Sequence, residues 1–432
     1  AGPEDMVRIE RLSFRIDLRE LITGEVVLPE IDIAGGTLDL QRNGDGTANW
    51  DFVPVSEAGV AAEAVTPDER ADFPVIGRLS IERTTLRYRD AVRKIDVKAD
   101  LAQAKGKSGD SNERVSLRGN GTFDGAPFTL EAVGGSVLRL RDQEAPYPLR
   151  IEAKVGETAV AFDGMLTDPL RPEVFDIALK VSGSTLSELF PIFGIPLPPT
   201  PPYALSGRLK RNGPLWTVAG LNGKVGDSDL SGDLTIDTKP EPPFMKAKLV
   251  SSLLDFDDLA GFIGAPPRTG EGETANAEQK RMAQAQAAAN RVLPDMPIAL
   301  DRLRAMNMKV DFTGARIEAP KLPLDRMRAV LTLEGGRLTL EPIEFRVADG
   351  AIAGTLVLDG RKDMPHVTSD LTLRGLSVKP FFAATGMADL SAGRFGGRIK
   401  LAGNGRSLAK VLANSDGETT VAMTGGTMSP LL

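Results

Sequence analysis

An internal repeat restricts the possible folds of this chain of 432 residues more than any other feature does. Residues 215–264 and 337–386 align without a gap at one constant offset. Identical residues at that offset include Thr217 and Thr339, Val225 and Val347, Asp227 and Asp349, Gly232 and Gly354, Leu234 and Leu356, Leu249 and Leu371, and Gly264 and Gly386. Self-similarity on this scale indicates an architecture that grows by adding units, each of which buries its apolar face in part against a neighbour.

Composition excludes several classes of function. Charged residues make up 26% of the chain and the net charge is -7, which argues against a nucleic-acid partner because such a partner needs a dense basic face. The chain has no cysteine, so disulfides and thiolate chemistry are absent, and its one histidine, His366, argues against imidazole zinc sites and serine–histidine triads. No paired carboxylates stand out from the many solvated ones. We therefore expect a protein that is not an enzyme and that uses no cofactor and no metal.

One acidic segment imitates the start of a calcium-binding loop. Residues 227–232 place acids at the first and third positions and glycine at the sixth, but Thr238 stands at the twelfth, where a bidentate glutamate is required. Leu230, Leu234 and Ile236 alternate with acids in the same stretch, which is typical of a strand with one solvated face. The strand interpretation is the favoured one.

Alternation of apolar and charged residues with a period of two runs through most of the chain. In residues 95–101 every odd position is apolar and every even position is charged, and residues 149–155 follow the same pattern. Glycine-rich turns are predicted between such segments, at residues 43–46, 119–121 and 335–336. One solvated face favours an antiparallel sheet over a parallel sheet that is buried on both faces.

A second recurring unit predicts short helices. Three residues that favour helix N-caps, Thr185, Asp255 and Ser377, are each followed by two apolar residues and, nine positions on, by a glycine that favours a helix end. A fourth such helix is predicted from Ser407 to near Gly417. Helices this short are marginal alone, so we expect each to pack across the end or mouth of a sheet.

Two stretches bear on membranes and linkers. No apolar run approaches the roughly 20 residues of a membrane-spanning helix, and the richest candidate, residues 189–198, is short and broken by proline. The start shows no signal peptide and the end stops within what looks like another strand, so we interpret the chain as an excised fragment, and an anchor could be missing from either end. Residues 265–292 are polar and lack an apolar stripe, which predicts a linker or a loosely held helix.

Several motifs resemble those of the AsmA family. Residues 39–52, in which Asn49 and Trp50 follow a glycine turn, look like the strand–turn signature near the start of these proteins. Residues 197–203, 225–232 and 403–417 also look like that family.

The resemblance implies a location and a fold, and it brings no catalytic residues. It implies a protein of a Gram-negative bacterium, held in the inner membrane by one N-terminal helix, with a long β-groove in the periplasm. Proteins of this kind are similar to bridge-like lipid-transfer proteins and are implicated in moving phospholipid towards the outer membrane.

The predicted fold is mainly β: an elongated, twisted and curled antiparallel sheet that forms an open apolar groove, with short helices at its edge. Alternation is satisfied equally well by a closed β-sandwich, and the family resemblance favours the groove. We predict groove repeats over residues 1–195, 196–264 and 297–386, a polar linker or loose helix over 265–296, and the start of a further repeat over 387–432.

The predicted groove lining consists of apolar residues from the cleanest strands. These residues are Leu38, Leu40, Ile95, Val97, Leu101, Val115, Leu117, Phe128, Leu130, Ile151, Val155, Val160, Phe162, Phe175, Ile177, Leu179, Leu234, Ile236, Leu249, Leu356, Leu358, Leu371 and Leu373. Any of them could instead be sealed core beneath a helix.

The predicted function is transfer of phospholipid, or of another acyl lipid, between the inner and outer membranes. Each methylene exposed to water costs about 0.8 kcal/mol, so a 16-carbon chain costs on the order of 12 kcal/mol, and a continuous aliphatic floor removes most of that barrier. The alternative is a periplasmic scaffold that binds outer-membrane or envelope proteins through exposed strand edges and assists their assembly.

Overall fold

Strands dominate the structure, which is a computed structural model. It describes residues 6–23, 26–49, 75–103, 114–136, 138–139, 145–167, 173–263, 265–288, 295–319, 323–380 and 392–427. The chain divides into two compact units, unit 1 over residues 1–179 and unit 2 over residues 180–432. The division into five segments that the sequence suggests stays a prediction.

Unit 1 is built around a meander of antiparallel strands. Its elements are β1 (Val7–Arg15), α1 (Leu18–Thr23), β2 (Val27–Leu28), β3 (Glu30–Arg42), β4 (Val75–Ile76), β5 (Leu79–Glu82), β6 (Thr84–Asp90), β7 (Ile95–Gln103), β8 (Val115–Phe123), β9 (Ala126–Gly134), β10 (Tyr147–Val155), β11 (Thr158–Leu166) and β12 (Val174–Gly183), whose last residues belong to unit 2. From β6 to β11 each strand pairs antiparallel with the next. β3 pairs antiparallel with β1 and parallel with β5 and β6.

Unit 2 is likewise built mainly from antiparallel strands. Its elements are a 3₁₀ turn (Leu186–Glu188), α2 (Leu189–Phe193), β13 (Tyr203–Asn212), β14 (Leu215–Val225), β15 (Ser228–Asp237), β16 (Phe244–Ser251), β17 (Leu254–Asp255), a 3₁₀ helix (Phe256–Ile263), α3 (Ala277–Ala288), α4 (Leu300–Arg304), β18 (Asn307–Gly314), β19 (Ile317–Glu318), β20 (Leu324–Glu334), β21 (Arg337–Val347), β22 (Gly350–Asp359), β23 (His366–Ser377), β24 (Ala392–Asn404), α5 (Leu408–Ala413) and β25 (Ser415–Thr427). Strands β13 to β16 and β18 to β25 pair antiparallel in order, except β19, which pairs parallel with β17. The predicted fold class, mainly β and chiefly antiparallel with short helices, is confirmed.

The sequence repeat is a structural repeat. β14 and β15 occupy the positions that match β21 and β22 at the sequence offset, to the residue at both ends of each strand. The bulge between Val218 and Leu221 recurs between Leu340 and Ile343, again at that offset. Matched strand ends and a matched bulge give both hairpins the same pleat, so the same sequence positions face the same side of the sheet.

The two repeats differ in how their last strand pairs with the next strand. β23 pairs antiparallel with β24, whereas β16 pairs parallel with β18. A parallel neighbour requires a connection that crosses one face of the sheet, and the 3₁₀ helix, α3 and α4 lie in that connection. Residues 265–288, which were predicted to be a linker or loose helix, contain the polar helix α3.

One predicted turn is wrong. Gly119 and Gly121 lie inside β8, and the actual turn follows at Asp124 and Gly125, where both residues have positive φ as a tight hairpin requires. A Cβ atom on Gly121 would collide with the carbonyl oxygen of Asp96, and one on Gly119 would lie 2.9 Å from the Cβ atom of Ala99. Glycine at these positions therefore serves close approach between strands rather than chain reversal.

Three of the predicted short helices fall within the described residues. Thr185 caps the first, where its side chain accepts a hydrogen bond from the Ser187 amide, and the helix ends at Gly194 in the left-handed conformation. The second is the 3₁₀ helix that follows Asp255, and the fourth is α5, which Ser407 caps and which ends before Gly417 is reached. The helix predicted after Ser377 lies outside the described residues.

Candidate functional site

The strand register of unit 1 places the predicted lining residues on one face of the meander. Cross-strand partners share a face of an antiparallel sheet, so the register can be followed from strand to strand. One such row contains Leu38, Leu86, Ala99, Gly119, Leu130, Ala153 and Val160. The next row contains Leu101, Leu117, Ala132, Ile151 and Phe162. Spanning β7 to β11, each row is about 19 Å wide at the usual strand spacing of about 4.8 Å.

This apolar face is only partly buried. Along β8, β9 and β10 the apolar positions are half-buried, apart from the buried Tyr147 at the start of β10, and most of the alternate, polar positions are exposed. Two facing sheets of a β-sandwich bury their inner residues almost completely. The half-buried positions of β8, β9 and β10 are instead what an apolar surface open on one side produces, whereas Ala99 in β7 and Val160 in β11, in the same row, are buried.

The polar face of the same strands is charged and solvated. Arg118 lies 3.9 Å from Glu131, and Arg150 lies 3.7 Å from Asp163, with all four side chains largely exposed. Exposed ion pairs of this kind add little stability. Their effect is to keep this face in water while the opposite face remains apolar.

The predicted lining residues fall into two groups by burial. Val97, Val160 and Ile177 are buried, with 8%, 7% and 7% of their surface exposed. A Cβ atom added to Gly164 would lie 2.8 Å from the Cγ2 atom of Ile177, so Ile177 fills a close contact between strands. The others are half-buried: in unit 1 these are Leu38, Leu40, Ile95, Leu101, Val115, Leu117, Phe128, Leu130, Ile151, Val155, Phe162, Phe175 and Leu179.

Unit 2 has a corresponding apolar face that is covered at one end and half-buried at the other. Its predicted lining residues, all half-buried, are Leu234, Ile236, Leu249, Leu356, Leu358, Leu371 and Leu373. The register joins two of them, Ile236 and Leu358, in one row. The residues between them in that row, Met245, Met308, Leu333 and Leu338, were not in the prediction.

A methionine cluster seals part of this row. It consists of Met245, Met306, Met308 and Leu333, each no more than 6% exposed. Ile195 and Leu303, which come from connections rather than from the sheet, pack against it. The alternation of Met308 with Val310 and Phe312 indicates a strand but does not reveal which face a connection covers, which is why the sequence misses this cluster.

A group of carboxylates lies beside the ends of β14, β17 and β19. Oxygen atoms of Asp227, Asp255 and Glu273 lie within 4.8 Å of one another, an arrangement that could hold a metal ion. Both oxygens of Asp227, however, already accept hydrogen bonds from Thr274, at 2.9 Å from its amide and 2.6 Å from its hydroxyl. The group therefore works as a hydrogen-bonded turn that ties residues 273–274 to the β14–β15 hairpin.

Burial changes the protonation of two carboxyl groups in this turn. Burial, together with the neighbouring Asp257 and Asp258, raises the pKa of Asp255 to about 7. Burial also raises the pKa of Asp258 to about 6, although the Ser228 hydroxyl and amide, at 2.5 and 2.9 Å, donate hydrogen bonds to it. These groups change charge within the physiological pH range.

None of the described helices is both long and apolar enough to cross a membrane.

Comparison with known proteins identifies the family. The AsmA family profile matches residues 1–431, so the chain belongs to the AsmA family. It is 29% identical over 451 aligned residues to the AsmA family protein YhjG of Escherichia coli (strain K12), an alignment that covers 98% of this chain and 64% of the relative. The chain thus spans less than two thirds of that relative's length. No solved structure matches it.

Proposed function

We propose that this AsmA-family protein shelters the acyl chains of phospholipids on the apolar face of its sheet while they pass between the inner and outer membranes. Membership of the family supports an envelope-related role in lipid transport or assembly. The observation that carries the proposal is the burial pattern of unit 1, where apolar side chains on one face of the neighbouring strands β8, β9 and β10 are half-buried, apart from Tyr147.

The energetics of transfer favour such a surface. An acyl chain of 16 carbons costs on the order of 12 kcal/mol in water, and an aliphatic floor that covers one side of the chain removes a large share of that cost. Contacts with Leu, Val, Ile and Phe are non-directional, so no position along a row holds the chain more firmly than the next. A head group on the open side stays hydrated throughout.

The location, partners and chemistry belong to the same proposal. The protein acts in the periplasm and is held at the inner membrane by an anchor, its ligand is a phospholipid or another acyl lipid, and its further partners are outer-membrane or envelope proteins. It acts as a carrier surface rather than as an enzyme and needs no cofactor.

Photo-crosslinking at paired positions tests the proposal. A crosslinking residue replaces Phe128 or Leu371 on the apolar face, and in matched controls it replaces Thr129 or Thr372, the next residue on the opposite face. Phospholipid captured from vesicles at Phe128 and Leu371, and not at Thr129 and Thr372, supports a sheltering face. Equal capture at both pairs, or none at either, would refute it. Val97 and Ile177, although on the same face, are buried, so crosslinkers there test the core.

A scaffold function is the second candidate, and two exposed strands favour it. β1 is exposed along its whole length, with Leu12 53% and Phe14 56% exposed. β25 carries Val421 at 63% exposure and pairs, among the described strands, with β24. Exposed strands of this kind can accept a strand from another protein. Capture of polypeptide, without lipid, by crosslinkers at Phe14 and Val421 would favour the scaffold.

A further inference from the structure

The loop between β12 and β13 has a closed neck. Its two ends meet at Thr185 and Thr200, which are 8% and 4% exposed. The Thr200 amide donates to the Thr185 hydroxyl at 2.9 Å, and the Leu186 amide donates to the Thr200 hydroxyl at 3.0 Å. The ends of the loop therefore lie close together, as they do in compact surface loops that are packed by their own side chains.

The tip of the loop, residues 189–197, lies on the methionine cluster. Ile195 packs against this cluster. Phe190 lies beneath the guanidinium of Arg302, whose Cζ atom is 5.2 Å from the centre of the ring. Gly194, between these contacts, adopts the left-handed conformation, and four prolines, Pro191 and Pro196 within the tip and Pro198 and Pro199 directly after it, stiffen it.

The contacts that hold the tip are of a kind that can be exchanged. Within the described residues, the hydrogen bonds of 189–197 stay inside the loop: the Gly194 amide donates to Phe190, and the Leu197 amide donates to Ile195. What joins the tip to the rest of unit 2 is apolar packing and one cation–π contact. Methionine side chains are flexible and polarisable, so they repack readily around a different apolar group.

The segment opposite the tip is fixed by contrast. Residues 295–306 are bound to the strand ends by a backbone hydrogen bond from the Ile298 amide to the Arg406 carbonyl, at 2.8 Å, and by a hydrogen bond from the Arg304 guanidinium to the Gly360 carbonyl, also at 2.8 Å. The Ser407 hydroxyl donates to Asp295 at 2.5 Å. Arg302 therefore stands on a rigid support, and the tip is the part that can move.

We infer that residues 189–197 form a lid over the methionine cluster, and that a phospholipid acyl chain displaces Ile195 from the cluster when it occupies this part of the sheet. The inference rests on the function proposed above. The methionine cluster belongs to the same row as the half-buried Leu338 and Leu358, so moving Ile195 aside uncovers part of that row next to the apolar face of β21 and β22. Leu303 and Met306, which belong to the fixed segment, stay in place. With the lid down, an acyl chain on that face stops at Leu333.

Tethering the lid tests the inference, and the absence of cysteine from the chain makes the tether specific. The variant Phe190→Cys with Arg302→Cys is joined by a flexible bis-maleimide, which fixes the lid to its support. The matched control, Lys246→Cys with Lys309→Cys, joins two strands that pair in register but does so through exposed residues on the charged face. Both proteins carry diazirine analogues of methionine and leucine, which report contacts at these residues, and unchanged unfolding midpoints verify the fold.

Vesicles of phosphatidylethanolamine and phosphatidylglycerol provide the probe, and peptide mapping locates the captured lipid. We expect capture at Leu371 in every protein, and capture at Met245 and Met308 that is lost when the lid is tethered but kept in the untethered variant and in the control. Equal capture at the two methionines with and without the tether, or no capture there in any protein, overturns the lid. Loss of capture at Leu371 in all proteins refutes the proposed function instead.

Discussion

Replacement of single leucines distinguishes a sealed core from an open apolar face within unit 2. Leu333 is 2% exposed in the methionine cluster, whereas Leu371 is half-buried and pairs across the sheet with Gly354, which offers no side chain to cover it. The two variants Leu333→Ala and Leu371→Ala delete the same atoms. Their effects on the free energy of unfolding differ only through their surroundings.

The expected magnitudes follow from what each side chain loses. Leu333→Ala leaves a cavity among packed side chains and should cost about 3–4 kcal/mol, within the range of buried leucines. Leu371→Ala loses only the part of its transfer free energy that burial had provided, about 1 kcal/mol, since water already reaches the site and no cavity forms. Thr372→Ala, on the opposite face beside Leu371, serves as the control and should change the stability by less than about 0.5 kcal/mol.

Urea unfolding followed by tryptophan fluorescence measures these differences. The chain has two tryptophans, and Trp50→Phe leaves Trp216 in β14 as the reporter of unit 2. Arg211 lies 4.8 Å over the Trp216 ring, a contact that is lost when the strands separate and that changes the emission. All variants are compared in this background, so that unfolding of unit 1 does not enter the signal.

The comparison has a clear refuting result. If Leu371→Ala costs as much as Leu333→Ala, then the face of β22 and β23 is as sealed as the methionine cluster, and the case for an open apolar surface in unit 2 fails. A small loss for both would mean instead that the cluster is loosely packed, contrary to its burial.

Three further predictions test other parts of the structure. Ala153→Trp, on the apolar face of β10, should abolish the lipid retained by the purified protein in native mass spectrometry, whereas Lys154→Trp on the charged face should retain it; loss in both would point to misfolding. The stability of unit 2 should fall as the pH rises from about 5 to 7.5. Burial holds the pKa of Asp255 at about 7 and that of Asp258 at about 6, above the value of 3.8 in the unfolded chain, so over this range only the folded state still has protons to lose. A thermal midpoint that rises over this range would contradict the prediction. Thr200→Val should cost about 1–3 kcal/mol in urea unfolding, since it leaves a buried backbone amide without its acceptor.

The sequence predicts much of the sheet, because a strand's pleat has a period of two that any apolar alternation reveals. Residues 95–101 and 149–155 become parts of β7 and β10, and their odd positions share a face across the strands between them. The repeat at constant offset likewise predicts matched hairpins, which the structure contains. Local pattern and register are therefore enough to predict which side chains share a face.

The sequence does not predict what covers that face. Leu249 and Met245 belong to the same alternating strand, yet Met245 is sealed and Leu249 is half-buried. The difference comes from Ile195 and Leu303, which approach from connections distant in sequence. The wrong turn at Gly119 and Gly121 has a related cause. The local sequence fits a turn there, and only the close approach of β7 explains why a strand has glycine at these positions.

The break in the repeat explains where the apolar face is covered. An antiparallel meander reverses direction at each strand end, so its connections can stay at the edges and leave one face free along its length. The parallel pair β16 and β18 cannot be joined in that way, because the chain must return across a face to its starting edge. Leu303 and Met306 of that return segment pack on the apolar face, at the place where the methionine cluster forms. A shorter, antiparallel connection here would remove Leu303 and Met306 from the row, so the parallel step supplies part of the cover over this end of the apolar face of unit 2.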